Sequence, residues 1–177
     1  QKKKFSQKMP RLIGLVGRRG AGKTTVANIL KTQGFIEFTY AETLKQIVSI
    51  LFGFDYNMLL GDTPESRKLR TEIRDPIYRL TPIECLQKVG TELFRNHFDQ
   101  NFWVNIVKRK ISENSDKDIV VTDCRYENEI DLIRKSGGQI WVIYNESKRI
   151  ERNFIISTSF LKFSSNSNAN GSCQHII

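Results

Sequence analysis

A glycine-rich segment near the amino end, residues 17–24, combines residue types that could bind phosphate. It reads GRRGAGKT, which satisfies the spacing G-x-x-x-x-G-K-[ST]. Glycines in this pattern let backbone N–H groups curl around a phosphate, and the amino end of a following helix adds its dipole. Lys23 is expected to reach the β- and γ-phosphates of a nucleotide. We therefore predict an ATP-binding phosphate loop made of Gly17, Arg18, Arg19, Gly20, Ala21, Gly22, Lys23, Thr24 and Thr25.

Asp123 is the second candidate for chemistry, because it directly follows the apolar run DIVVT at 118–122. A carboxylate at the end of a buried strand can hold Mg²⁺ directly or through water, together with the Thr24 hydroxyl. A helix cap is the alternative role for this aspartate. Arg125 is predicted to contact a substrate's phosphate, with an ion pair to Glu127 or Glu129 as the structural alternative. The predicted catalytic residues are Lys23, Asp123 and Arg125, and the predicted metal ligands are Thr24 and Asp123.

Hydrophobic patterning predicts the elements that position these residues. Apolar runs at 11–16, 35–38, 118–122 and 139–144 indicate strands, and helical spacing at 24–33 and up to Lys135 indicates helices between them. Strands that alternate with helices imply a parallel sheet covered on both faces, an α/β three-layer sandwich. Ligands of such sheets bind at the carboxyl ends of the strands. Both candidate loops leave strands at that edge.

The middle of the chain is predicted to be helical and rich in arginine. Helices are expected at 42–52, 65–74, from Pro82 towards His97, and at 100–112, with a turn-rich connection at 53–64. Thr81, Pro82 and Glu84 form a capping-box pattern that opens the third of these helices. In a small phosphate-loop kinase, such basic side chains would hold the anion of an acceptor. Each of them, taken singly, also fits a solvated surface charge.

Length and composition fit one domain of an ordinary globular protein: 177 residues, 39% hydrophobic and 27% charged. We expect a basic tail at 1–10 and a single kinase domain at 11–177, with an acceptor-binding helical part near 42–112 and a lid or irregular tail near 145–177. Three lysine and arginine side chains are predicted as lid cations, although a charged surface segment would look the same: Lys148, Arg149 and Arg152.

The net charge, together with the motifs that the sequence lacks, narrows the classes of function that the chain could have. The net charge of +9 suits small polyanionic ligands, and we expect no nucleic-acid partner, because the basic residues are dispersed and no recognition motif is present. No run approaches the about 20 apolar residues that span a bilayer. The chain has no N-K-x-D or D-x-x-G pattern, which argues against a GTPase. The first ten residues do not resemble a signal peptide, so we expect a cytoplasmic protein. The first residue is not Met, which suggests a fragment or an internal start.

Four stretches resemble the deoxynucleoside monophosphate kinases of large bacteriophages and some large DNA viruses. They read GLVGRRGAGKTT, YAETLKQIVSILFG, TPIECLQKVGTELFRNHFDQNFWVN and VVTDCRYENEIDLIRKSGGQIWVI. The resemblance implies a nucleoside monophosphate kinase-like fold, and transfer of phosphate from ATP, with Mg²⁺, to a deoxynucleoside monophosphate. It implies an acceptor site formed by Lys45, Arg67, Arg70, Gln87, Thr91, Glu92 and Arg95. It also implies infected-cell cytoplasm or a viral factory as the working compartment, and it leaves a homodimer open.

Two departures and two alternatives accompany this resemblance. Thr43 stands where the family tends to have proline, and the sequence stops at Ile177 where a further family motif would start, so the last strand of the sheet is left open. Animal phosphomevalonate kinases share a similar layout. A non-catalytic ATP-binding module with a nucleic-acid partner is the alternative from another class. Trp103 either stacks on a base or, as we favour, belongs to the core.

Overall fold

A computed structural model describes residues 10–145 and 154–157. The chain divides into two compact units. The first, called the sheet unit below, lies within residues 1–39 and 110–177, and the second, called the helical unit, is Tyr40–Arg109. The elements in chain order are β1 (Leu12–Val16), α1 (Lys23–Thr32), β2 (Ile36–Phe38), α2 (Ala41–Phe52), α3 (Tyr56–Leu60), α4 (Pro64–Glu72), α5 (Pro82–Gln87), a π-helix (Lys88–Phe98), α6 (Phe102–Glu113), β3 (Ile119–Val121), α7 (Glu127–Lys135), β4 (Gln139–Asn145) and β5 (Phe154–Ser157).

The sheet has the strand order β2-β3-β1-β4-β5, with β1 in the middle. The first four strands of this order are parallel, as predicted, and β5 pairs antiparallel with β4 at the edge. Because β1 and β3 are parallel neighbours, with Gly14 opposite Val121, their carboxyl ends lie at the same edge. The loops that begin at Gly17 and Thr122 therefore leave the sheet side by side.

Alternation along β1 sends side chains to two different helices. Ile13 and Leu15 pack with the buried residues Val26 and Leu30 of α1. On the opposite face, Gly14 leaves room for α7, since an added Cβ would lie 3.1 Å from Cγ1 of Ile133. Helices therefore cover both faces of the sheet. The predicted three-layer α/β/α arrangement is confirmed.

The helical unit has its own apolar core, formed by Val48, Phe54, Met58, Leu59, Cys85 and Val89. Two features of this unit differ from the prediction. The connection predicted at 53–64 contains the helix α3, which begins at the cap Asp55, whose carboxylate accepts from the N–H of Asn57 at 2.7 Å. The helix that begins at Pro82 is α-helical only to Gln87 and continues as an 11-residue π-helix.

The predicted single kinase domain at 11–177 stays a prediction beside these two compact units. The helical unit, Tyr40–Arg109, nearly coincides with the range 42–112 that the sequence suggested for acceptor binding. The strand β5 lies in the segment for which the pattern suggested irregular structure. The predicted lid cations Lys148, Arg149 and Arg152 lie outside the described residues. Within the ranges that the structure describes, no helix is both long enough and apolar enough to cross a bilayer.

Candidate active site

The loop from Gly17 to Gly22 connects β1 to α1 and depends on its glycines. Gly17 lies directly against the carbonyl oxygen of Ile143 on β4, so a side chain there would collide with backbone. Gly20 and Gly22 have φ values of 80° and 100°, a region that L side chains rarely adopt. The N–H of Ala21 donates to the carbonyl of Arg18 at 3.1 Å and closes the turn. The sequence spacing thus corresponds to a real backbone requirement at each glycine.

The amino end of α1 has the properties of an anion-binding helix terminus. Its cap, Gly22, has no side chain to accept from the first-turn N–H groups, and the first turn holds no acidic residue. The first intrahelical bond runs from the N–H of Val26 to the carbonyl of Gly22 at 3.0 Å. The preceding N–H groups of the helix have no intrahelical acceptor and, with the helix dipole, favour a negative group. Four side chains of the loop and of the first turn of α1 are exposed: Arg18, Arg19, Thr24 and Thr25.

Lys23 is folded against the loop that precedes it. Its Nζ donates to the carbonyl of Gly17 at 2.6 Å and to that of Arg18 at 3.0 Å. An ammonium group has three N–H donors, so a third is available to a phosphate oxygen. Partial burial, followed by the positive charge of Arg125, lowers the pKa of Lys23, and the carboxylate of Asp123 partly opposes this. Lys23, Asp123 and Arg125 are therefore close enough to interact electrostatically, and their common role at one phosphate-handling centre stays a prediction.

Asp123 and Arg125 lie in the loop between β3 and α7. Asp123 is half-buried and Arg125 is exposed. The carboxylate of Glu129 accepts from the backbone N–H of Arg125 at 2.7 Å, so the contact between these two residues involves the main chain of Arg125. This contact is not the ion pair considered as an alternative from the sequence.

The donor atoms around the loop suit magnesium better than a transition metal. Thr24 supplies a hydroxyl and Asp123 a carboxylate, and oxygen ligands are those that Mg²⁺ prefers. Among the described residues, no three or more His, Cys, Asp or Glu side chains form a group that could hold a metal ion. Mg²⁺ is commonly held by one or two protein ligands together with substrate phosphates. The residues present therefore fit a magnesium ion that enters with a nucleotide.

In the helical unit, three predicted acceptor residues meet at one turn, residues 60–62, called the 60–62 turn below. The Nζ of Lys45 lies 3.4 Å from the carbonyl of Leu60. The Nη1 of Arg67 donates to the carbonyls of Gly61 and Asp62 at 3.3 and 3.1 Å. Gly61, with φ 68°, packs against the guanidinium of Arg70, where a Cβ would collide. The structure therefore brings Lys45, Arg67 and Arg70 together around a few main-chain carbonyls.

The other predicted acceptor residues lie on the next stretch of helix. Gln87 ends α5, and Thr91, Glu92 and Arg95 belong to the π-helix. Glu92 lies 3.4 Å from Lys88 in a surface ion pair. A long π-helix is unusual, and π-helical turns are frequent at functional sites.

Gly90 ties this π-helix to two neighbouring segments. A Cβ at Gly90 would lie 2.5 Å from Cδ2 of Leu44, the residue before Lys45 on α2. The indole N–H of Trp103 donates to the carbonyl of Gly90 at 2.9 Å, and Trp103 is only 3% exposed. Phe94 and Phe102 pack on the Trp103 ring. Trp103 is thus a core residue, as favoured from the sequence, and it holds the backbone next to Thr91.

Sequence reasoning overlooked two residues near the 60–62 turn. Gly61 falls in the turn-rich connection predicted at 53–64, although a glycine that ends a helix is a recognisable signal. Tyr56 begins α3, the helix that ends at Leu60, and burial, followed by the charges of Glu42 and Asp62, raises the pKa of its phenol. No spacing in the sequence marks Tyr56.

The fold is of the α/β class, with a glycine-rich loop between β1 and α1, an arrangement typical of nucleotide-binding proteins. A family model of deoxynucleotide monophosphate kinases matches residues 63–162. A protein of Acanthamoeba polyphaga mimivirus, provisionally named deoxynucleotide monophosphate kinase, is 33% identical over 73% of this chain and 71% of its own length. The deoxynucleoside-5'-monophosphate kinase of Escherichia phage T5 is 36% identical over 36% of this chain and 26% of its own length. The chain belongs to the deoxynucleotide monophosphate kinase family.

Proposed function

We propose that this chain transfers the γ-phosphoryl group of ATP to the phosphate of a deoxynucleoside monophosphate, giving ADP and a deoxynucleoside diphosphate. The observation that carries the proposal is the cluster of Lys45, Arg67 and Arg70 at the 60–62 turn. A protein that only bound ATP would need the phosphate loop but no second cationic site. Membership of the kinase family supports the same assignment.

On the donor side, the phosphate loop would bind ATP through backbone N–H groups and the amino end of α1. Lys23 would contact the β- and γ-phosphate oxygens with its remaining N–H. Arg125 is exposed, and its positive charge lowers the pKa of Lys23. Its guanidinium would offset negative charge on the transferring group.

Thr24 and Asp123 are the residues that would hold magnesium. When bound, the ion neutralises phosphate charge and orients the β- and γ-phosphates. The other contacts with the two substrates would come from the chain's own side chains and backbone N–H groups.

On the acceptor side, Lys45, Arg67 and Arg70 would hold the phosphate of the deoxynucleotide. A phosphate oxygen of the acceptor attacks the γ-phosphorus, and the bond from that phosphorus to the β–γ bridging oxygen breaks, with its electron pair leaving on ADP. The second pKa of a phosphate monoester is about 6, so the acceptor is already largely dianionic at neutral pH and needs no general base. The chemistry then rests on positioning and charge neutralisation.

The remaining assignments follow from the same proposal. Gln87, Thr91, Glu92 and Arg95 would line the sugar and base side of the acceptor site, because Gly90 ties their segment to α2 beside Lys45. We also propose that three cations outside the described residues offset charge on the transferring phosphoryl group: Lys148, Arg149 and Arg152. With a virus and a phage among its relatives, infected-cell cytoplasm or a viral factory is the compartment that we propose.

The test is ADP release from Mg-ATP with a panel of acceptors: the four DNA monophosphates, dUMP, the ribonucleotides and phosphomevalonate. Turnover on one or more deoxynucleotides is expected, and their rank order would give the base preference. Turnover on phosphomevalonate alone would contradict the proposal in favour of that sister activity. Light scattering on the same preparation would show whether the enzyme is a monomer or a homodimer.

A second outcome would contradict catalysis altogether. Salt-sensitive DNA binding, with ATP binding but no ADP production on any acceptor, would identify a non-catalytic module with a nucleic-acid partner. We expect neither DNA binding at physiological salt nor stimulation of ADP release by DNA.

A further inference from the structure

Two glutamates hold the opposite ends of the loop that carries Asp123 and Arg125. At its carboxyl end, Oε2 of Glu129 accepts from the N–H groups of Arg125 and Tyr126 at 2.7 and 3.1 Å. At its amino end, the hydroxyl of Thr122 donates to Oε1 of Glu37 at 2.9 Å. We propose that Glu129 and Glu37 are positioning residues that fix Asp123 and Arg125 for phosphoryl transfer. This inference rests on the proposed function.

The bond from Arg125 to Glu129 goes beyond what a helix cap requires. Glu129 is the third residue of α7, and a glutamate there commonly reaches back to the N–H of the cap residue, which is Tyr126 in this helix. Its shorter bond goes one residue further, to Arg125, which lies outside the helix. The carboxylate therefore fixes the backbone of the arginine itself.

Glu129 also lies at a buried position, where a charged side chain is energetically unfavourable. It is 1% exposed, and a buried carboxylate is costly unless hydrogen bonds and charge compensate it. The two N–H donors and the amino end of α7 supply that compensation. Because backbone donors engage the carboxylate, its effect on the reaction would pass through Arg125 and Asp123.

At the other end, Glu37 links the loop to the neighbouring strand β2. Its Oε2 lies 2.7 Å from Nζ of Lys31, which offsets its negative charge. The N–H of Thr122 also donates to the carbonyl of Phe38 at 3.2 Å, so both the main chain and the side chain of Thr122 are held. Cys124, only 3% exposed, packs inward between the two ends. Asp123 and Arg125 flank this buried residue, so the backbone that carries them is held at both ends.

The test compares two charge-neutral variants on the same helix. Glu129→Gln keeps the size of the side chain but loses the charge that strengthens both bonds. We expect kcat to fall about 10- to 100-fold, as for other residues that orient groups at a site, with both KM values within about threefold of wild type. The matched control is Glu127→Gln, which removes the same charge from an exposed position in the first turn of α7 and should leave kcat unchanged.

A readout without nucleotide separates positioning from helix capping. In the ligand-free protein, Glu129→Gln should speed amide hydrogen exchange at Arg125 and Tyr126 by about tenfold or more, while the amide of Ile133 keeps its protection. Faster exchange throughout α7, with kcat unchanged, would overturn the proposal in favour of a cap. If wild type proves inactive on every deoxynucleotide, the proposed function fails, and the exchange pattern still decides whether the loop is held in this way.

Thr122→Val gives an independent test at the other end, and it keeps the role of Glu37 testable if Glu129→Gln does not fold. Valine keeps the shape of threonine but cannot donate to Glu37. We expect a kcat loss in the same direction but smaller, about threefold to tenfold, with both KM values near wild type. A folded Thr122→Val enzyme with wild-type kcat would overturn the role of Glu37.

Discussion

The sheet unit and the helical unit present the groups that we propose for phosphate binding in two different ways. In the sheet unit, the backbone builds the site: Gly20 and Gly22 adopt positive φ, and the uncapped amino end of α1 faces the loop. In the helical unit, long side chains on two helices converge on the carbonyls of the 60–62 turn. A site built from backbone needs certain residues at certain spacings. A site built from long side chains needs only that several cations reach one place.

From this contrast we infer that the sheet unit binds the phosphoryl donor and that the helical unit binds the acceptor. The helix termini illustrate the same division. The helix α5 of the helical unit begins with a complete capping box, in which the hydroxyl of Thr81 accepts from Glu84 and the carboxylate of Glu84 accepts from Thr81. No such side chain closes α1. The first arrangement stabilises a helix, whereas the second leaves donors for a ligand.

The largest effect is expected at Lys23. Lys23→Ala removes the ammonium that would contact the transferring phosphate, and kcat should fall by at least about 10²- to 10³-fold, as measured by ADP release. The fold should persist, because α1 keeps its buried face. Lys135→Ala, which removes a surface lysine in the same unit, is the control and should turn over like wild type. Wild-type turnover by a folded Lys23→Ala protein would remove the phosphate loop from the mechanism.

A pair of glycines tests the 60–62 turn. Gly61 and Gly53 both end helices with φ 68°, but only Gly61 packs against Arg70, while a Cβ at Gly53 would meet open space. Alanine at either position should therefore reduce the free energy of unfolding by about 1–2 kcal/mol. Only Gly61→Ala should also raise the acceptor KM, by about tenfold, since one displaced guanidinium contact is worth that much. Equal acceptor KM values in the two variants would contradict a role for Arg70.

The two tryptophans allow a similar comparison between the units. Trp103→Phe keeps an aromatic ring in the core but leaves the Gly90 carbonyl without its indole donor. We expect the free energy of unfolding to fall by about 1–2 kcal/mol and the acceptor KM to rise about threefold to fivefold. Trp141→Phe loses an exposed bond to Gln139 but keeps an aromatic ring against the core of the sheet unit, so the free energy of unfolding should fall by less than in Trp103→Phe and the acceptor KM should not change. An unchanged acceptor KM in Trp103→Phe would separate the π-helix from the acceptor site.

The smallest effect concerns the cap of α5. The N–H and the hydroxyl of Thr81 lower the pKa of Glu84, with a smaller contribution from Arg74. A carboxylate whose pKa is lower in the folded state stabilises the fold above its unfolded pKa, about 4.3, and loses that contribution as pH falls through the folded value. Urea unfolding of wild type and Glu84→Gln should therefore differ at pH 7 and converge at acid pH. A difference that does not change with pH would contradict this assignment.

The features predicted correctly from the sequence are those with local rules. The loop around Lys23 follows from glycine conformations, the parallel order of β1 and β3 follows from alternation of strands and helices, and the cap at Thr81 follows from residue spacing. The loop and the cap depend on neighbours within a few residues, whereas the strand order depends on the alternation of strands and helices along the chain. Asp123 could be proposed because a buried strand leads directly into it.

The missed features depend on distant contacts or on small energy differences. The helix α3 is five residues long, too short for periodicity to reveal it. The π-helix differs from an α-helix in its hydrogen-bond register, while the apolar spacing of the sequence suits either. The 60–62 turn gathers Lys45 and Arg67 from positions before and after it, and the bond from Thr122 to Glu37 joins two strands. No pattern in a single sequence predicts these contacts.

The most direct test of the division between the units is steady-state kinetics of Lys45→Ala with each substrate varied in turn. We expect the acceptor KM to rise about tenfold or more, the worth of one charged hydrogen bond, while the ATP KM changes less than about twofold. Lys68→Ala, a surface lysine of the same unit paired with Glu72, is the control and should match wild type. A larger rise in the ATP KM than in the acceptor KM would place Lys45 with the donor and contradict the assignment of the helical unit to the acceptor.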